Sequence, residues 1–260
     1  MIFLNINING LNINYEVSGE GKAVILLHGW LCSLETMKPI ENVLEKSFKV
    51  YNVDLPGFGK SDSMKEAFNT DDFGNFLQAF INALSIENPI LIGHSNGGRT
   101  IINYAGRNLG KINKIILIDS AGIKPKRKLG YYVKVYTFKF LKRIFNVLPK
   151  TEMFNNIRER ALGKFGSQDY KNSSQVLRKT MSKILNEDQR NILKNINVPT
   201  LLIWGENDQS TPVADAKIIK ENIKDSGLIV LKDAGHFAYL DKYQEFVSII
   251  NCFLKEAVND

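Results

Sequence analysis

Only two cysteines, Cys32 and Cys252, occur in the 260 residues, and neither belongs to a CxxC pair. A disulfide framework is excluded by that count, and no cysteine-built metal site has its ligands. Such sparing use suits a reducing compartment, so a cytoplasmic location is expected. The chain also lacks the run of about 18 uninterrupted apolar residues that a membrane-spanning helix needs. Its opening, MIFLNINING, has no basic stretch ahead of an apolar one, so no secretory signal is expected. Histidine is equally rare: His28, His94 and His236 are the whole supply. Nothing in this composition implies a metal or an organic cofactor.

What is present is ordinary in amount and uneven in placement. Hydrophobic residues make up 44% and charged residues 23%, enough to build one large buried core. Residues 122–196 hold 18 Lys and Arg against 5 Asp and Glu, a net +13. The rest of the chain has 16 against 22, a net −6. This break in charge marks a subdomain boundary, dividing a core formed by residues 1–121 and 197–260 from an insertion at 122–196.

The core pattern alternates strand and helix signals. Leu4, Ile6 and Ile8, then Leu11, Ile13, Tyr15 and Val17, alternate with polar residues around Asn9-Gly10, which predicts a hairpin. Ala23–Leu27, Phe48–Val53, Ile90–Ile92, Ile115–Ile118, Thr200–Trp204 and Leu228–Leu231 are short apolar runs that suit a parallel sheet covered on both faces. Between them lie helical patterns. Thr70 is a candidate cap with Phe73, Phe76, Leu77 and Phe80 as the inner face, Pro212 stands at a helix start, and Tyr243–Val258 reads as a final helix. The implied fold is a doubly wound α/β sheet, whose chemistry sits at the carboxyl ends of its strands. Residues 122–196 show helical stretches only, at Tyr131–Leu148 and Ser174–Leu185, and predict a helical insertion between two strands.

Gly93-His94-Ser95-Asn96-Gly97 follows a strand and precedes a helical pattern. Small residues there permit a strained strand-to-helix turn that lifts a serine hydroxyl above the sheet. Serine needs a base to take its proton. His94 adjoins it on the turn and points elsewhere, and His28 stands at a strand end in His-Gly-Trp. His236 follows the last strand and is the candidate base. The carboxylate that orients it should lie at a strand end between serine and histidine. Asp208 is the favoured candidate and Asp119 the rival; Glu206 and Asp215 are weaker ones. Acyl transfer further needs donors for the developing oxyanion, and the backbone N–H groups of Asn96 and Trp30 are in place for it. Asn96 is an unusually polar residue for its position, so its side chain is a further candidate for substrate contact.

His28-Gly29-Trp30, Asp54-Leu55-Pro56-Gly57-Phe58-Gly59-Lys60-Ser61-Asp62, the Ser95 turn, Trp204-Gly205-Glu206-Asn207-Asp208 and Gly235-His236 occur in order along nearly the whole chain. Together they resemble the α/β-hydrolase superfamily, in particular its lidded serine esterase-like members. The resemblance implies a mostly parallel eight-stranded sheet and a helical lid after the sixth strand. It also implies that the acid, Asp208, follows the next strand. Relatives with aspartate at the turn, the haloalkane dehalogenases and epoxide hydrolases, are excluded by Ser95. The HGGPG loop of prolyl iminopeptidases is absent.

The function expected is hydrolysis of a small carboxylic ester, thioester or lactone. Two alternatives stay open. One is cleavage of a carbon–carbon bond in ring-fission diketones; the other is a ligand-binding protein that keeps the three residues but barely turns over. Within Lys124–Lys150, basic residues interleave with Tyr131, Tyr136, Phe138 and Phe140. Such a stretch suits an anionic membrane or an acidic substrate, but a solvated lid face is the simpler reading. No nucleic-acid motif accompanies it. Oligomeric state is not legible.

Overall fold

The computed structural model describes residues 2–125 and 174–259. Its strands are β1 (Ile2–Ile8), β2 (Leu11–Ser18), β3 (Ala23–Leu27), β4 (Lys49–Val53), β5 (Ile90–His94), β6 (Ile115–Ile118), β7 (Thr200–Gly205) and β8 (Ser226–Leu231). They form one eight-stranded sheet in the order β1-β2-β4-β3-β5-β6-β7-β8. Only the β1–β2 and β2–β4 pairings are antiparallel. The Asn9-Gly10 signal resolves into a two-residue turn with φ of 53° and 82°, both left-handed, as a primed hairpin turn requires.

The α-helices among the described residues are α1 (Lys38–Leu44), α2 (Thr70–Ala83), α3 (Asn96–Gly106), α4 (Gln175–Ile184), α5 (Arg190–Leu193), α6 (Val213–Asn222), α7 (Ala238–Asp241) and α8 (Tyr243–Asn259). Period-two alternation splits each central strand between two cores. Ile25, Leu27, Leu91, Ile115 and Leu117 face one way, packing with Phe73 and Phe80 of α2 and Ile101 of α3. Val24, Leu26, Ile92, Ile116 and Ile118 face the other, packing with Ile40 of α1 and Phe246 and Ile250 of α8. Covering both faces leaves the carboxyl edge of the sheet as the open place for chemistry. None of the described helices is long and apolar enough to cross a membrane.

Two predicted helix starts shift. Asn69, not Thr70, caps α2: its side chain accepts from the Asp72 N–H (2.9 Å), and Asp72 accepts from the Asn69 N–H (2.7 Å). The reciprocal pair satisfies two donors, which a threonine one residue later could not reach. Pro212 is the cap of α6 rather than part of its first turn. Thr211 before it is committed to Asp208, as described below.

Residues 122–196 lie between β6 and β7. The predicted Ser174–Leu185 helix is α4, with Ser174 capping the Leu177 N–H at 3.3 Å. Tyr131–Leu148 falls outside the described residues. The returning segment is tied to the core: Gln189 Nε2 donates to Arg99 O (3.2 Å), Phe68 N to Thr180 Oγ1 (3.0 Å) and Thr70 N to Glu187 Oε2 (2.8 Å).

Candidate active site

β5 ends at His94, and the chain turns through Ser95 into α3. Ser95 has φ 50° and ψ −110°, a conformation that costs a non-glycine residue roughly 1–3 kcal/mol. Hydrogen bonds hold it there. Ser95 N donates to Ile118 O (3.0 Å), and Ser95 O accepts from Arg99 N (3.1 Å) and Ala121 N (2.9 Å). The turn also needs the neighbouring glycines. A Cβ on Gly97 would lie 2.1 Å from the Leu27 carbonyl oxygen, and one on Gly93 would lie 2.6 Å from the Gly97 carbonyl carbon.

The strand ends bring His236 and Asp208 to this serine. His236 Nε2 stands 3.1 Å from Ser95 Oγ, and His236 Nδ1 stands 2.8 Å from Asp208 Oδ2. A carboxylate only accepts, so the ring proton sits on Nδ1 and the Nε2 lone pair faces the serine hydroxyl. Asp208 is held in turn. Its Oδ1 accepts from Ser210 N (2.7 Å) and Thr211 N (3.1 Å), and its Oδ2 from Thr211 Oγ1 (2.6 Å). Burial pushes this carboxyl up, but the bonds from His236 and Thr211 outweigh it and hold the group below its ordinary range. The arrangement can move a proton from a serine hydroxyl to an imidazole whose resulting charge meets a fixed anion.

Asp119, the rival carboxylate, is fully buried at the end of β6 and spends both oxygens on backbone. Oδ1 accepts from Gly205 N (2.8 Å) and Oδ2 from Ala238 N (3.0 Å), the first residue of α7. It joins the ends of β6 and β7 to the loop after His236 and makes no bond to the imidazole. Burial pushes it up to about 7 against the pull of those two N–H groups. Glu206 accepts from Asp233 N (3.1 Å), and Asp215 lies in the first turn of α6.

The other histidines are fixed in neutral roles. His28 Nε2 accepts from Leu55 N (3.0 Å), so its proton is on Nδ1, which donates to Gly29 O (2.7 Å). Burial lowers it to about 4. It clamps the loop that carries Trp30. Asp54 braces the same loop from below, accepting from Leu34 N (2.7 Å), Lys60 N (2.8 Å) and Asn14 Nδ2 (2.8 Å). Gly29 brings the loop against the turn: a Cβ there would lie 3.3 Å from Ser95 Cβ and 2.9 Å from His94 Nδ1. No described residue accepts from the backbone N–H of Trp30 or Asn96. The Trp30 ring packs edge-on against Phe58 (4.9 Å between centroids). Both amide atoms of the buried Asn96 side chain lack a partner among the described residues.

Thr211 escaped the sequence reading, which saw only a helix start. The available signal was Asp208 followed two and three residues later by Ser210 and Thr211, a pattern by which an aspartate folds a turn around its own carboxylate. Arg99 also escaped it. This buried guanidinium donates from Nη1 to Ile184 O (2.8 Å), joining α3 to the end of α4, and burial lowers it to about 10. A cleft of about 740 Å³ lined by Ile81, Ile86, Tyr104 and Asn195 opens at the amino ends of the strands, far from Ser95.

A family model described as the alpha/beta hydrolase fold matches residues 22–152 and 152–243. An AB hydrolase superfamily protein of Bacillus subtilis, YisY, is 30% identical over 257 residues, covering 92% of this chain and 93% of its own. A 2-hydroxy-6-oxo-6-phenylhexa-2,4-dienoate hydrolase of Comamonas testosteroni is 27% identical over 267 residues, covering 94% and 91%. Among solved structures, an esterase from Exiguobacterium antarcticum superposes with a TM-score of 0.75 at 25% identity, covering 98% of this chain and 100% of its own.

Proposed function

This chain belongs to the alpha/beta hydrolase fold family, and on that footing we propose that it is a serine hydrolase acting on a small carboxylic ester, thioester or lactone. One observation carries the reading: the continuous chain of contacts from Ser95 Oγ to His236 (3.1 Å) to Asp208 (2.8 Å). Ser95 attacks the acyl carbon while its proton passes to His236 Nε2. Asp208 keeps the ring in the required tautomer and stabilises the imidazolium. The N–H groups of Trp30 and Asn96 bind the oxyanion. The imidazolium then protonates the departing alkoxide or thiolate, which leaves as the alcohol or thiol, and water activated by the same histidine releases the acid. These steps call for no metal or organic cofactor. The unpartnered Asn96 amide suits a substrate with a polar group near the scissile carbonyl. We assign residues 122–196 as a helical lid over the carboxyl edge, anchored through Gln189 and Arg99.

A second reading rests on the Comamonas relative. Its named substrate contains no ester, so hydrolysis beside its ketone must break a carbon–carbon bond. The same nucleophile and base would serve. The deciding experiment is a panel of p-nitrophenyl esters of graded chain length run beside such a diketone. Higher kcat/KM on a short ester supports the first reading, and higher kcat/KM on the diketone the second. No turnover of either, with tight binding of one, would leave a ligand-binding protein.

A further inference from the structure

We propose that His94 is a positioning residue whose Nε2–H holds the backbone carbonyl of His236, and so sets the base at its distance from Ser95. This rests on the reading of His236 as the base. His94 Nε2 lies 2.7 Å from His236 O. A carbonyl only accepts, so Nε2 carries the proton and the ring is the neutral Nε2–H tautomer. The other nitrogen, Nδ1, is buried and has no partner among the described residues. It faces Gly29, whose added Cβ would come within 2.9 Å of it.

The ring therefore stands between the three parts that must stay in register. It is covalently next to Ser95, it backs onto the Trp30 loop through Gly29, and it grips the His236 loop. Its centroid lies 4.9 Å from the His236 ring, 4.8 Å from Phe237 and 5.4 Å from Tyr239. The carbonyls flanking His236 have backbone partners: Ala234 O accepts from Asn207 N (2.8 Å), and Phe237 O from Leu240 N (2.8 Å) and Asp241 N (3.0 Å). Gly235 N donates to Asp241 Oδ2 (2.7 Å) and Ala238 N to Asp119 Oδ2 (3.0 Å), leaving the His236 carbonyl to His94.

Neutrality is part of the role. A second proton on His94 would place an N–H on Nδ1 with nothing to accept it. It would also set a cation beside the imidazolium formed in turnover. Burial, and His236 next to it, lower this group to about 3, outweighing the pull of the His236 carbonyl and the more distant Asp208. His28, the remaining charged-capable neighbour, lowers it further.

The test compares His94→Gln with His94→Met. The two side chains have similar length and volume, but only glutamine carries a donor near the Nε2 position. The readout is the second-order rate of fluorophosphonate labelling at Ser95, which needs no knowledge of the substrate. Glutamine should label within about threefold of the parent. Methionine should be slower by about 10–100-fold, because a displaced base loses near-attack geometry. With a short ester the loss should fall on kcat, with KM changed less than about twofold. Methionine labelling as fast as the parent, or glutamine as slow as methionine, overturns the proposal.

Should the methionine variant fail to fold, ¹⁵N-histidine spectra of the parent decide the matter, since only three histidines contribute. His94 should remain a neutral Nε2–H ring at pH 5–8, whereas an Nδ1–H tautomer, or titration near 6.5, refutes the assignment. A parent unlabelled at Ser95 would instead sink the serine-hydrolase reading, and the ¹⁵N spectra would still judge the His94 hydrogen bond by itself.

Discussion

Replacing Asp208 by Asn should lower kcat/KM by about 10³–10⁴-fold, and the local hydrogen bonds say why. Oδ1 receives two backbone N–H groups, from Ser210 (2.7 Å) and Thr211 (3.1 Å). The amide oxygen of the introduced asparagine must take that place, which puts its NH₂ where Oδ2 now meets His236 Nδ1 at 2.8 Å. Facing a donor, the imidazole shifts its proton to Nε2 and can no longer accept from Ser95. Turning the amide over would set its NH₂ against both backbone donors, and stranding the buried one on Thr211 alone costs roughly 1–3 kcal/mol. Either route also loses the anion that stabilises the imidazolium. A combined penalty of about 4–6 kcal/mol corresponds to that range of rates, at about 1.4 kcal/mol per factor of ten. The assay is kcat/KM on a short neutral p-nitrophenyl ester, with thermal unfolding to verify the fold. Asp119→Asn is the control: its oxygens meet Gly205 and Ala238 rather than His236, so activity should fall less than about tenfold. A folded Asp208→Asn within tenfold of the parent, or reversed severities, would refute the assignment of the acid.

Further outcomes are expected elsewhere. A fluorophosphonate probe should modify Ser95 in the parent and not in a folded His236→Ala variant, as peptide mapping will report; modification at another serine would contradict the site. Because Asp119 sits at about 7 against an ordinary 3.8, its contribution to stability is full below about pH 4 and is lost as pH rises to about 7. Asp119→Asn should therefore gain in melting temperature relative to the parent between about pH 5 and pH 8, and a constant difference would remove the explanation. Lys38 is the cation shared by two fully buried carboxylates, Glu16 and Glu41, the latter at 3.2 Å. Lys38→Met should cost about 3–5 kcal/mol in urea unfolding, since it removes the cation that faces both carboxylates; a loss under about 1 kcal/mol would refute that role for Lys38. Changing Lys126, Arg127 and Lys128 to Glu should barely alter turnover of a short neutral ester, and the parent should not bind anionic vesicles. Salt-sensitive vesicle binding would point to an interfacial role.

Much of this protein was legible before any coordinates, wherever the determinant was local. The Asn9-Gly10 turn follows from residues that tolerate left-handed φ, the parallel strands from short apolar runs, and the Ser95 turn from glycines whose missing side chains let backbones meet. Chain order made Ser95, His236 and Asp208 candidates, and the structure brings the three side chains into contact. What the string of residues left open were choices between similar groups. Asp119 and Asp208 both end strands, yet one meets only backbone N–H groups and the other an imidazole. Thr211 looked like the start of a helix and instead holds a carboxylate. His94 points away from the serine hydroxyl, but nothing local says that its ring reaches the carbonyl of His236, 142 residues further along the chain. Each of these depends on which atoms a crossing of distant strands brings within about 3 Å. That distance is set by packing across the sheet, which no local pattern encodes.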